Sequence, residues 1–348
     1  VRVRRRCSIV GPLLCTGLLI ACAVPTGQAA SAAAARPELG INVVVDMSIS
    51  TPATALAQLK KVFSYCVSLH ANAVALNFPF YVTGTTSDDP HSGVGTPSVS
   101  LLGQMIALAQ HDHLKVQLRP GLDELDLRPS WRGAIAPTDP AAWFSAYWAW
   151  MEPYLALAQS TRVSSFDIGM ELDSLVTNDG PLWAPLISDA EEVYTGTLLY
   201  AGGNGIYLST PGTRLAYDAY QPIYEPSNKA ATVSALTAGF QRNFDDLDVP
   251  GGLAALRLGE VGLSATTGAY DEPYQFNFPA SLPVVRSVQT NWFKAACNFF
   301  WNNHLAGIYY WALFMNSFSP TENDSAIPTE WVGTPSATAI KTCFARTR

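Results

Sequence analysis

The sequence predicts a single (β/α)8 barrel, and three observations carry that prediction. From Pro37 onward, short apolar or β-branched runs alternate with helix-like segments to the end of the chain, and there are eight such runs. Parallel neighbours need crossover connections, and eight strands close around an interior that side chains can fill. The connections are also asymmetric. Those entering a strand are a few residues long ("SLHAN", "HDHL", "STRV", "NHLAG"), whereas those leaving the second, third, seventh and eighth strands are long. That is the layout of a barrel whose site is built from the loops that follow its strands. Finally, the competing doubly wound open sheet normally carries a glycine-rich phosphate turn after its first strand, and "VVVDMSIST" has none.

Taken in order, the first strand is the apolar run "GINVVVD" (40–46), followed by the helix-like "PATALAQLKKVFSYCVSL". "NAVALNFPFY" (72–81) and "LKVQLRPG" (114–121) flank "VSLLGQMIALAQHD". The aromatic helix "PAAWFSAYWAWMEPYLALAQ" leads into "SSFDIGMEL" (164–172). "GTLLYAGG" (196–203) and "TRLAYDAYQPI" (213–223) are joined by "NGIYLSTPG", too short for a full helix. "TVSALTAGFQRNF" precedes "LAALRLGEVGL" (253–263), and "SVQTNWFKAACNFFWNN" precedes the last strand, "AGIYYWALFM" (306–315). No linker rich in Pro, Gly and Ser divides the series, so one barrel domain is expected over 37–348.

Residues 1–36 are set apart. A basic head (Arg2, Arg4, Arg5, Arg6), an apolar run from Ile9 to Val24 and a small-residue tail with A-x-A-like sites near Ala30 form the pattern of an export signal. The mature protein is therefore expected to be secreted, without a transmembrane span. The alternative is a lipid anchor on Cys22, since "LIAC" resembles a lipoprotein box. With 48% hydrophobic and 14% charged residues the chain can bury a large core. Its formal charge of −7 becomes more negative once the four leader arginines go, which excludes nucleic acid as a natural partner. Cys66, Cys297 and Cys343 lie beyond the leader at spacings that match no zinc pattern. A Cys297–Cys343 disulfide between the last two helices is favoured, with Cys66–Cys343 the competing pair.

Chemistry enters through "FDIGMELDSL", which puts Glu171 directly after a buried strand, where a carboxylate is costly unless it has a partner or a job. "LRLGEVGL" ends the seventh strand on Glu260 in the same manner. Strands four and seven face one another across a barrel mouth, and two carboxylates there can divide the labour of glycoside hydrolysis, one as nucleophile, the other as acid and then base. Such a site requires no cofactor and no metal. "HDH" at 111–113 sits before the third strand, on the wrong face for a barrel site, and reads as a solvated turn. "SDDPHSGVG" lacks the acidic spacing of a calcium loop and is expected to be a mobile flap.

On these residues the chain resembles the clan A glycoside hydrolases, and within them family 113, which contains β-mannanases. The likeness runs from about Gly40 to Cys343 through "LRPGLDELDLRPSWRGAI", "FDIGMEL", "YDAYQPI", "LGEVG" and "GIYYWAL", in that order. The resemblance implies Glu171 as acid/base, Glu260 as nucleophile, Tyr220 near the nucleophile and Trp311 as a sugar platform. It implies a retaining hydrolase acting on a β-linked polysaccharide or oligosaccharide, and the chain is separately expected to be a monomer. One departure stands out: the clan usually has Asn before the acid/base, contacting the sugar 2-hydroxyl, and here that residue is Met170. It is the feature that favours the rival reading, a carbohydrate-binding barrel without turnover.

Sugar rings present apolar faces that stack on indoles. Trp131, Trp183, Trp311 and Trp331 fall in or beside loops that follow strands, whereas Trp143, Trp148 and Trp150 lie in a helix and are expected to pack on the barrel. Trp131 and Trp311 are the candidate platforms; packing is an equal reading for Trp183 and Trp331. Asn77 and Arg119 end the second and third strands, placed to bind hydroxyls or steady a carboxylate, with an Arg119 ion pair to Asp123 or Glu124 as the alternative.

Overall fold

A computed structural model describes residues 36–224, 231–320 and 327–347; the segment read as an export signal, with Cys22, lies outside the described residues apart from Arg36. Eight parallel strands close in chain order: β1 (Glu38–Val44), β2 (Ala73–Phe80), β3 (Lys115–Leu122), β4 (Ser165–Met170), β5 (Thr197–Gly202), β6 (Thr213–Asp218), β7 (Arg257–Val261) and β8 (Gly307–Phe314), with β8 pairing back onto β1. Helices α1 (Pro52–Ser68), α2 (Val99–His111), α3 (Pro140–Ser160), α4 (Asp173–Asn178), α5 (Trp183–Val193), α6 (Val233–Asp245), α7 (Arg286–Asn302) and α8 (Pro335–Phe344) fill the crossovers. The expected (β/α)8 barrel is therefore the observed fold, and the β5–β6 connection lacks a helix among the described residues.

Local sequence explains the helix starts. Thr51, Ser98, Asp139, Thr232 and Thr334 each accept a backbone N–H through the side chain, and α1, α3 and α8 carry Pro in their first turn. Cys297 and Cys343 form a disulfide that ties α7 to α8, and Cys66 is a buried free thiol.

Two expectations are corrected. Leu253–Ala255 form a 3-10 turn, so β7 begins only at Arg257. The presumed flap is tied down: Tyr81 and His91 exchange backbone hydrogen bonds, Trp150 Nε1 donates to Ser92, and Asp139 N–H donates to Asp88. For Trp183 and Trp331, where two readings stood open, packing is the one found: both are core residues. Trp183 opens α5 fully buried, with its ring edge-on to Phe144 and Tyr200, and it fits there because a Cβ on Gly169 would come within 2.8 Å of both the Trp183 and Tyr200 rings. Trp331 packs on Tyr65 and donates its indole N–H to the Trp311 carbonyl.

The strand period of two sends alternate residues into the barrel, and here that set is unusually polar. At the lower end, Glu38 accepts from Arg257 and Tyr309. Gly40 is required beside them, since a Cβ there would lie 2.2 Å from the Tyr309 ring. Higher up, Asn42, Gln117, Arg119, Asp167 and Asp218 are all buried. Charge in such a place must be paired, and how it is paired determines the mouth of the barrel.

If Trp183 is a packing residue, Trp183→Ala should cost about 3–5 kcal/mol of stability. Denaturant unfolding measures this, and a loss within about 0.5 kcal/mol, the range of surface substitutions, would contradict its assignment to the core.

Candidate active site

Arg119 is the centre of the upper layer. It is fully buried, and all five of its N–H groups find acceptors. Nε donates to Asp167 (2.9 Å), one terminal nitrogen donates to both oxygens of Asp218 (2.6 and 2.7 Å), and the other donates to Glu260 Oε1 (2.7 Å) and Asn42 Oδ1 (3.2 Å). With each of its three nitrogens held by a different carboxylate, the guanidinium plane is fixed, and with it the direction in which Arg119 meets Glu260. Gly259 makes room, because a Cβ there would lie 2.8 Å from Asp218 Oδ1. The alternative partners Asp123 and Glu124 are not used; Glu124 pairs with Arg132 instead (2.8 Å).

Glu260 lies near the carboxyl end of β7 and is 7% exposed. Its second oxygen accepts from the Tyr220 hydroxyl at 2.7 Å. Gly262 keeps this corner open, since a Cβ there would stand 3.0 Å from the Tyr220 hydroxyl and 3.2 Å from Trp311 Cβ. Trp311, on β8, lines the mouth, and the Trp311–Ala312 peptide is cis.

Glu171 directly follows β4, with φ of +51°, a left-handed conformation that a non-glycine residue seldom adopts. The strain is held by two bonds: Glu171 N–H donates to the Ala201 carbonyl (2.8 Å) and Leu172 N–H donates to the Tyr200 hydroxyl (3.0 Å). Conformations of this kind cost about 1–3 kcal/mol and persist where the surroundings over-determine them. Burial pushes the Glu171 carboxyl up to about 7, the charge of Glu260 adding to the rise while Arg132 and Arg119 act against it. Arg132 Nη1 stands 4.0 Å from Glu171, whose side chain retains 19% exposure and so stays open to solvent.

The two glutamates thus differ: one is clamped by an arginine and a tyrosine, the other is driven towards its protonated form. Three carboxylates around Arg119 leave a surplus of negative charge. Burial, together with neighbours that include Glu260 and Glu171, pushes Asp218 well above the ordinary carboxylate range against the pull of Arg119. Burial likewise pushes Asp167 up to about 6.

Beside this pair runs a cleft of about 620 Å³ lined by residues including Asp46, Asn77, Asp123, Arg132, Met170, Trp311, Phe314 and Asn316. The Met170 methyl lies over Gly121, where a Cβ would come within 2.2 Å of it. Trp131 does not line the cleft; its ring folds over Gly133 and is 39% exposed. A second groove, about 720 Å³ along α7 and α8, contains no carboxylate and lies beside the disulfide. Sequence reading had not assigned Asn42, Arg132, Asp167 or Asp218. The available signal was an acid inside an apolar strand, in "FDIG" and "AYDAY", which demands a buried partner.

The Glycoside Hydrolase Family 113 model matches residues 54–326. A solved "GH113 beta-1,4-mannanase" is similar at 16% identity, over 88% of this chain and 98% of that one, with a TM-score of 0.71. The GH113 β-mannanase from Alicyclobacillus acidocaldarius in complex with ManMIm is similar at 18% identity, over 89% and 97%, with a TM-score of 0.70. A β-glucuronidase from Ruminococcus gnavus shares the fold at 11% identity, over 88% and 50%, with a TM-score of 0.57. No curated protein matches the chain significantly.

The raised carboxyls set a stability trend. Between their ordinary values, 3.8 for Asp167 and 4.5 for Glu171, and their folded values near 6 and 7, the folded protein holds protons that the unfolded chain has released. Stability from these groups is present at low pH and is lost as pH rises through that window. Glu38, which Arg257 and Lys115 hold below 4.5 against burial, acts oppositely and only at lower pH. Tm should therefore fall from pH 5 to pH 7.5, and Glu171→Gln should flatten the fall. A Tm that rises over this interval would contradict the assignment.

Proposed function

This chain belongs to glycoside hydrolase family 113, and on that premise we propose that it hydrolyses a β-linked polysaccharide, β-1,4-mannan first among candidates, with retention at the anomeric carbon. The observation that carries the reading is the unequal pair at the strand ends. Glu260, oriented by Arg119 and Tyr220, is the nucleophile, and Glu171, pushed up to about 7, is the acid/base. Family membership and the printed names of the similar structures support mannan.

In the first step a Glu260 oxygen bonds to the anomeric carbon as the glycosidic C–O bond breaks and Glu171 gives its proton to the departing oxygen. In the second, Glu171 takes a proton from water, the water oxygen bonds to the same carbon, and the Glu260 ester bond breaks. Two inversions leave the configuration unchanged. Glu171 suits the first step because its environment favours the neutral acid, and the second because its side chain remains accessible. Trp311 is proposed as the platform for the sugar beside Glu260. Export is part of the same reading, supported by the basic and apolar leader and by the Cys297–Cys343 disulfide, a bond suited to an oxidising compartment.

Released reducing ends from mannan, glucomannan, cellulose, xylan and galactan test the substrate class, and proton NMR of the first-formed anomer tests retention. Glu260→Ala should abolish turnover. Glu171→Ala should lose about 10²–10⁴-fold on mannan and far less on aryl glycosides with good leaving groups, which need little protonation. Activity should decline as pH rises through about 7, where Glu171 gives up its proton. Binding across the panel without hydrolysis, or an inverted first product, would overturn the proposal.

A further inference from the structure

Phe314 closes β8 with its ring in the open. Every phenylalanine lies among the described residues, and Phe314 alone of them is exposed, at 50%. Its neighbours Leu313 and Met315 are buried in the wall, so the alternation of the strand turns Phe314 the other way, towards the barrel mouth. The sheet holds it there. Phe314 is in register with Val44 of β1, and Met315 N–H donates to the Val44 carbonyl (3.0 Å). The Phe314 ring stands at right angles to Trp311, with the centroids 6.4 Å apart. Both rings line the cleft, as do the exposed Ile49 and Leu125 from the loops after β1 and β3.

Apolar side chains scattered singly over a surface need no explanation, but an aromatic ring and two aliphatic groups sharing one cleft with Trp311 mark a binding surface. Covering such a ring is favourable. Asp46 and Asp123, both partly buried, line the same cleft and offer carboxylate acceptors beside the apolar groups. That combination suits a neutral sugar, whose faces carry C–H and whose edge carries O–H. A pyranose lying flat on Trp311 shows Phe314 only its edge, because the two rings are perpendicular, so the face that Phe314 can cover belongs to another unit. We propose that Phe314 is the platform of a second sugar subsite, beyond the unit on Trp311, and that the cleft therefore reads a chain of sugars and not a single one. This rests on the cleft being a sugar site. It adds that affinity grows with chain length through a ring on β8.

The test compares the unaltered protein with Phe314→Ala and Phe314→Trp on β-1,4-mannohexaose and on an aryl β-mannoside, which is too short to reach the ring. Phe314→Ala should lower kcat/KM for mannohexaose on the order of tenfold, chiefly through KM, as when binding common to the ground and transition states is removed. The loss on the aryl mannoside should be much smaller, and Phe314→Trp should restore mannohexaose. Calorimetric titration of mannohexaose into the Glu171→Gln protein, which lacks the acid, reads binding without turnover, and adding Phe314→Ala should weaken it by a similar factor. An unchanged affinity for mannohexaose in a folded Phe314→Ala protein, equal losses on the two substrates, or no binding of mannohexaose would each overturn the inference. A dimer in solution that Phe314→Ala dissociates would overturn it too, since the ring would then have another occupant. Hydrolysis of mannan with binding indifferent to Phe314 would sink the inference alone, whereas Phe314-dependent binding without hydrolysis would sink the catalytic reading and leave it standing.

Discussion

A single buried guanidinium organises this barrel. Arg119 sits where water cannot reach it, and a charge in that position is tolerable only when every N–H is matched and opposite charge is close. Asp167, Asp218 and Glu260 come from β4, β6 and β7, and Asn42 comes from β1, so one β3 side chain joins four other strands of the closed sheet. Breaking any of these contacts leaves an uncompensated buried group, a change that costs about 3–5 kcal/mol for buried ion pairs. Stability and the geometry of Glu260 therefore depend on the same contacts.

The backbone is shaped to admit this cluster. Gly259 yields to Asp218, Gly40 to Tyr309 and Gly121 to Met170, each at a point where a Cβ would overlap its neighbour, and a Cβ on Gly262 would crowd Tyr220 and Trp311. Small residues on the strands thus exchange side-chain volume for polar groups from adjacent strands. The two glutamates receive opposite treatment as a result. Glu260 meets two fixed donors, whereas Glu171 turns out of β4 through a left-handed residue and lies within reach of Arg132 only at 4.0 Å. Burial then dominates at Glu171, and a neighbouring carboxylate adds to it.

The barrel, all eight strands and the strand-end positions of Glu171 and Glu260 were legible in the sequence, because period-two apolar runs and loop asymmetry are local signals. The partners of Arg119 were not. Asp167 and Asp218 are distant from it in the chain, and only closure of the sheet brings them together; sequence proximity pointed instead to Asp123 and Glu124. The tryptophans divide for a similar reason. A residue beside a strand-end loop can turn towards the mouth, as Trp311 does, or into the wall, as Trp183 does once Gly169 leaves space for it.

The central claim is that this cluster exists to present Glu260 to an anomeric carbon. Incubation with 2-deoxy-2-fluoro-β-mannosyl fluoride, followed by peptide mass spectrometry, tests it most directly, because the fluorine slows the second step and lets the covalent ester accumulate. The account predicts one fluorosugar per chain, attached to Glu260. A label on another residue, or steady turnover of the parent sugar with no label formed, would contradict it.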